Sequence, residues 1–176
     1  MRRLSRATIV SAAFVMVVSL GASQAAAVTF STSGTFTCGG CAGSGTNSVT
    51  FLGGMGNAVM ITFTGLGSTN MSTPTGSSFG NFQTFVSGVG PINASGTFTL
   101  TVTQTLPSAG SGSFAATFSG AFTASNSGEG VVNFTVNSVL IGGAEYSIVT
   151  CLPLKLVPPA SNNGITTVQG QIGNPD

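Results

Sequence analysis

The chain contains no histidine and no tryptophan, only one tyrosine, and just four basic and three acidic residues among 176. Each shortage closes off a class of chemistry. Without histidine, a serine or cysteine nucleophile has no usual general base, and a zinc site loses its commonest nitrogen ligand. A charged fraction of 4%, against about 25% in ordinary globular chains, leaves no cluster of Lys and Arg to neutralise phosphates. Nucleic-acid binding is thereby excluded. An outer-membrane barrel needs aromatic girdles and a polar lumen, and this composition supplies neither. Solubility must rest on Ser, Thr, Asn, Gln and Gly.

The longest apolar run, Thr8 to Ala22, follows Arg2, Arg3 and Arg6 and precedes Ala25-Ala26-Ala27. This order of basic, apolar and small residues predicts a helical signal peptide over 1–27, cleaved before Val28. The run is shorter than the roughly 20 residues that span a bilayer, so no membrane span is expected in the mature chain. Residues 28–176 then carry a side-chain charge of −2, from Lys155 against Glu129, Glu145 and Asp176. Their length suits one secreted domain with a sizeable core, and their regularly spaced Phe, Val, Ile and Leu set them apart from a disordered chain.

What the chain has in abundance is alternation. In Asn57-Ala-Val-Met-Ile-Thr-Phe-Thr64, Val59, Ile61 and Phe63 share one face. In Gly96–Leu106, Phe98, Leu100 and Val102 face one way, and Thr97, Thr99, Thr101, Thr103 and Thr105 face the other. A period of two marks half-buried strands. Similar runs are expected near 28–37, 48–52, 79–87, 113–124, 130–141, 144–157 and 164–172, with no helical spacing after the leader. Turn signals fall between them at Gly53-Gly54, Ser72–Gly76, Gly90-Pro91, Pro107–Gly110, Asn126–Gly128, Gly142-Gly143 and Asn162–Gly164. Such close punctuation leaves no room for parallel crossovers. The fold class predicted is all-β, a single antiparallel β-sandwich, with Ile141-Gly-Gly-Ala144 as a tight hairpin. The repeat of Ser33-Gly-Thr-Phe-Thr37 as Ser95-Gly-Thr-Phe-Thr99 has no steady period and indicates similar strand entries, not a solenoid.

Cys38-Gly-Gly-Cys41 has the spacing of a redox pair, but that chemistry works at the start of a helix, and here the motif sits in a glycine-rich turn after a strand. Zinc needs four ligands, and the only other cysteine is Cys151. In an exported chain a structural disulfide is the default. A bridge to Cys151 would close the longer loop and stabilise by about 4.7 kcal/mol, against about 2 kcal/mol for the local pair. The local pair has the higher effective concentration, so Cys38 with Cys41 is the expected bridge, leaving Cys151 in a strand. Gly76-Ser-Ser-Phe-Gly80 spells a nucleophile elbow around Ser78, but without the strand-to-helix setting or a base. Glu129 and Glu145 are the only carboxylate pair available for glycoside hydrolysis, and Glu129 lies in a turn. The expectation is therefore no catalytic, cofactor or metal site. The threonine row Thr97–Thr105 is the candidate ligand-facing surface, for glycan or ice, and its simplest reading is a β-branched solvent face. Asn70-Met-Ser72, Asn93-Ala-Ser95 and Asn133-Phe-Thr135 fit the glycosylation sequon.

The leader, the Ser/Thr/Gly-rich strands, Val28-Thr-Phe-Ser-Thr-Ser-Gly-Thr-Phe-Thr-Cys38 and the closing Leu154–Gly170 stretch together resemble bacterial exported proteins of the PEP-CTERM, exosortase-sorted class. The resemblance implies a surface or matrix protein with a β-rich ectodomain, and so a location more than an activity. The chain departs from that class by ending at Gly173-Asn-Pro-Asp176, without the Val-Pro-Glu-Pro signal, apolar helix and basic tail. The expectation is a non-enzymatic surface, matrix or adhesion component, periplasmic or extracellular, unanchored or held by noncovalent contacts. Its expected partners are extracellular polysaccharide or surface proteins.

Overall fold

The computed structural model describes residues 26–123 and 130–174. The strands are β1 Ala27–Thr37, β2 Ser48–Leu52, β3 Ala58–Thr64, β4 Thr69–Ser72, β5 Thr75–Ser87 and β6 Ile92–Leu106. They continue as β7 Gly110–Phe122, β8 Val131–Phe134, β9 Ser138–Ile141, β10 Ala144–Ile148, β11 Leu154–Lys155 and β12 Ile165–Gly173. They form two six-stranded antiparallel sheets packed face to face. The front sheet runs β11-β8-β7-β6-β1-β4, and the back sheet β2-β3-β5-β12-β10-β9. The chain is thus the all-β sandwich its alternation predicts. Among the described residues the only helical pieces are single 3₁₀ turns at Gly54–Gly56 and Asn162–Gly164, and no helix is long and apolar enough to cross a membrane.

The inward residues of the two sheets meet in an aromatic core. Phe36 and Phe98 from the front sheet pack on Phe63 and Phe82 from the back, with ring centroids 4.8–6.2 Å apart. At the other end Phe30 and Phe79 close around Tyr146. Tilted and edge-on pairs of this kind add to the burial that drives folding, about 1.5–3 kcal/mol for each large apolar side chain. Gly34 makes room for this packing, since a Cβ there would strike the rings of Phe63 and Phe98. One inward position of β6 is polar. The Gln104 amide accepts the Tyr146 hydroxyl at 2.8 Å and donates to the Ser108 carbonyl at 2.8 Å, which ties the sheets together by a satisfied hydrogen-bond chain.

Several expected strands are found nearly as read, and the Ile141–Ala144 hairpin is present, with Gly142 and Gly143 both at positive φ as a two-residue loop requires. Three expectations need correction. The stretch 130–141 is two strands, because the chain leaves the front sheet after Phe134 and enters the back sheet at Ser138. The stretch 144–157 is also divided: Pro153, which has no N–H to give a ladder, stands before a two-residue β11 on the opposite sheet. Cys151 therefore lies in an exposed loop, not in a strand. The polar strand β4, not anticipated from the sequence, pairs with the start of β1 at the front-sheet edge. That pairing begins with Ala27 opposite Ser72, and Thr73 donates its backbone N–H to Ala26 at 2.9 Å. A cut before Val28 would remove both contacts.

Candidate functional site

The five threonines read from the sequence all lie on the outer face of β6, in the middle of the front sheet. Their inward neighbours Phe98, Leu100, Val102 and Gln104 are buried, which fixes the register and turns every threonine outward. Pairing then supplies what the sequence alone does not bring together. Thr97 lies opposite Thr37 of β1 and Thr117 of β7, with Asn133 of β8 beyond. Thr99 lies between Thr35 and Ala115, Thr101 between Ser33 and Ser113, and Thr103 between Ser31 and Ser111. The result is a grid of short hydroxyl side chains, about 4.8 Å apart across the strands and about 6.7 Å apart along them.

The grid is uncharged. Its outward residues on β1, β6 and β7 include no charged and no aromatic side chain between Ser31–Thr37, Ser95–Thr105 and Ser111–Ser119. Some hydroxyls are held by neighbours. Thr101 Oγ1 and Ser113 Oγ are 3.2 Å apart, Thr97 donates to the Thr37 carbonyl at 3.4 Å, and Thr105 to the Thr29 carbonyl at 3.3 Å. A hydroxyl that donates to its own sheet keeps its acceptor lone pairs for a ligand, and every threonine also presents a methyl group. The face therefore offers a fixed, repeating mixture of acceptors, donors and small apolar contacts. The three sequon asparagines, Asn70, Asn93 and Asn133, are exposed on this same sheet, at its edge, at the start of β6 and in β8.

The other expected positions are dispersed. Ser78 sits on β5 in the back sheet, where its Oγ accepts the Gly80 N–H at 3.1 Å. This is a bulged strand with Gly80 at φ 124°, not a strand-to-helix elbow. Glu145 is two strands away on β10, aligned with Gly173, whereas Ser78 aligns with Gln169. Lys155 is on the front sheet. Glu129 lies outside the described residues. Among the described residues no three of His, Cys, Asp and Glu lie together as a metal site would require.

Cys38 and Cys41 are bonded to each other, with Cα atoms 6.0 Å apart and Gly40 at φ 73° in the turn between them. The next residue, Ala42, exchanges two 2.9 Å backbone hydrogen bonds with Thr50 in the middle of edge strand β2. The residue that follows the disulfide loop thus sits on the outer edge of the back sheet.

No family model matches the chain, and neither curated proteins nor solved structures give a match.

Proposed function

We propose that the protein is an exported, non-catalytic component of a cell surface or extracellular matrix, and that it holds polysaccharide through the hydroxyl face of its front sheet. The observation that carries this reading is the registered grid itself: three adjacent strands turn only small uncharged residues, mostly Ser and Thr, outward over four consecutive rows. A polysaccharide chain is a line of hydroxyls with short apolar patches. The grid meets it with complementary donors, acceptors and methyl groups at fixed spacing. No single contact of this kind is strong, since a neutral hydrogen bond gives net about 0.5–1.5 kcal/mol. Repetition along a polymer is what makes such a face effective. The dispersal of Ser78, Glu145 and Lys155, together with the absence of histidine, supports the non-catalytic part of the reading.

A second reading is favoured by one specific feature, the lack of any aromatic ring on the grid against which a sugar could stack. It takes the same face as a surface for ordered water. The two readings separate in one experiment. The exported protein is cosedimented with insoluble cellulose, chitin and alginate gel, and assayed in parallel for inhibition of ice recrystallisation. A variant with Thr97, Thr99, Thr101 and Thr103 all changed to Val keeps β-branching and core packing while deleting the hydroxyls. Binding to at least one polysaccharide, lost in the variant, is the expected result. Ice activity without polysaccharide binding would transfer the face to the second reading, and binding unchanged by the four substitutions would refute both.

A further inference from the structure

The back sheet carries a surface of the opposite character. Of the exposed large apolar residues, Leu52, Met55, Met60, Phe85 and Val89 gather at one corner. Met60 and Phe85 are direct cross-strand partners on the outer face of β3 and β5, and Leu52 of β2 lies two register positions further along, opposite Ala58. Met55 and Val89 occupy the tips of the two neighbouring turns, each between glycines, at 98% and 93% exposure. Met55 holds φ at 57° in its turn, a left-handed backbone uncommon for a bulky side chain. The Asn57 side chain fills the space between the turns, because a Cβ on Gly88 or Gly90 would collide with it. The two turns thereby lie side by side.

We infer that this corner is a self-association surface, on which two copies of the chain pack back sheet to back sheet about a two-fold axis. Area is the first argument. Taking about 150 Å² for each full side chain, the low end of the aromatic range, the five exposures sum to about 550 Å². That lies at the upper end of the roughly 300–600 Å² of the largest patch on an ordinary monomer, and is about two thirds of the roughly 800 Å² each partner contributes to a standard interface. Charge is the second argument. Burying an unpaired charge in an interface is costly, and the corner asks for none to be buried: the charged residues of the described chain, Glu145 and Lys155, lie on β10 and β11, elements outside it. A lipid surface fits less well, because interfacial binding draws on Lys and Arg beside the apolar residues. At the neighbouring β2 edge, Ala42 already takes the backbone hydrogen bonds of Thr50. Association in this manner turns both hydroxyl faces outward, so a dimer would present two of them in opposite directions. The inference does not depend on what those faces bind.

The test is sedimentation equilibrium of the exported product of the full chain over a wide concentration range. A monomer–dimer equilibrium is expected. Phe85→Asp and Val89→Asp should each raise its Kd at least about tenfold, whereas Leu106→Asp, on an exposed residue of the front sheet, should leave it unchanged. A second readout needs no variant: hydrogen peroxide should oxidise Met55 and Met60 more slowly as protein concentration rises, with partly buried Met71 as the internal reference. A monomer at every concentration would overturn the inference, as would a dimer indifferent to both aspartates. Flotation with phosphatidylcholine or phosphatidylglycerol vesicles by a protein that stays monomeric would also overturn it and assign the corner to lipid.

Discussion

Changing Tyr146 to Phe removes one oxygen from the middle of the sandwich. The wild-type hydroxyl is fully buried and donates to Gln104 Oε1 at 2.8 Å, and Gln104 is itself 1% exposed. The substitution deletes a hydrogen bond and also leaves a buried amide oxygen without its donor. A net bond lost together with an orphaned acceptor costs about 1–3 kcal/mol. With a urea m value of roughly 1–3 kcal/mol per molar, that is a fall in midpoint on the order of 1 M. Pairing the change with Gln104→Leu should recover part of the loss, because the orphaned amide oxygen is then removed, while the Ser108 carbonyl still loses the Gln104 amide. The assay is a double-mutant cycle in urea followed by far-ultraviolet circular dichroism. Alkaline titration supplies an independent arm. Burial pushes the Tyr146 phenol from 10.0 up to about 12, so the unfolded chain ionises first. Stability should be level below pH 10 and fall by about 1.4 kcal/mol per pH unit between 10 and 12, a slope the phenylalanine variant lacks. Tyr146 is the sole tyrosine and there is no tryptophan, so phenolate absorbance reports this group alone. A native phenolate titrating near 10, or a phenylalanine variant as stable as the wild type, would refute the reasoning.

Two further outcomes follow from the packing and the cysteines. Gly34→Ala should destabilise by about 1–3 kcal/mol in the same urea assay, as overpacking does, since its methyl group must displace Phe63 and Phe98; a neutral result would show that the rings can yield. Mass spectrometry of the unreduced protein should find the Cys38–Cys41 link with Cys151 as the one reactive thiol, and changing both bonded cysteines to Ser should cost about 2 kcal/mol. A bridge to Cys151 would contradict the pairing.

The parts of this fold legible in the sequence are those governed by period. β3 and β6 read clearly because buried Val59, Ile61 and Phe63, or Phe98, Leu100 and Val102, alternate with small polar residues, and the same alternation marks the threonine row as outward. What escaped is set by distant contacts. Nothing local tells that Phe134 belongs to one sheet and Ser138 to the other. β4, with Asn70 and Ser72 outward, is a strand because β1 needs an edge partner. The hydroxyls of Ser31, Ser33, Thr35 and Thr37 become one surface with the threonine row only through strand register. Gly53-Gly54 and Gly90-Pro91 read as turns, but that the Asn57 side chain lies against Gly88 and Gly90 is a property of the folded chain.

The two hydrogen bonds between Ala42 and Thr50 have a consequence for colloidal behaviour. Most soluble proteins keep their copies apart by repulsion between surface charges, and a surface as sparsely charged as this one has almost none to use. An open sheet edge under those conditions is a template on which further strands add without limit. The Cys38–Cys41 bridge lies immediately before Ala42 and restrains the segment that occupies the β2 edge. A bond that gives only about 2 kcal/mol to the folded state therefore bears on more than stability: it restrains the segment that occupies the β2 edge at Thr50, on a sandwich with almost no charge to keep the strands of other copies away.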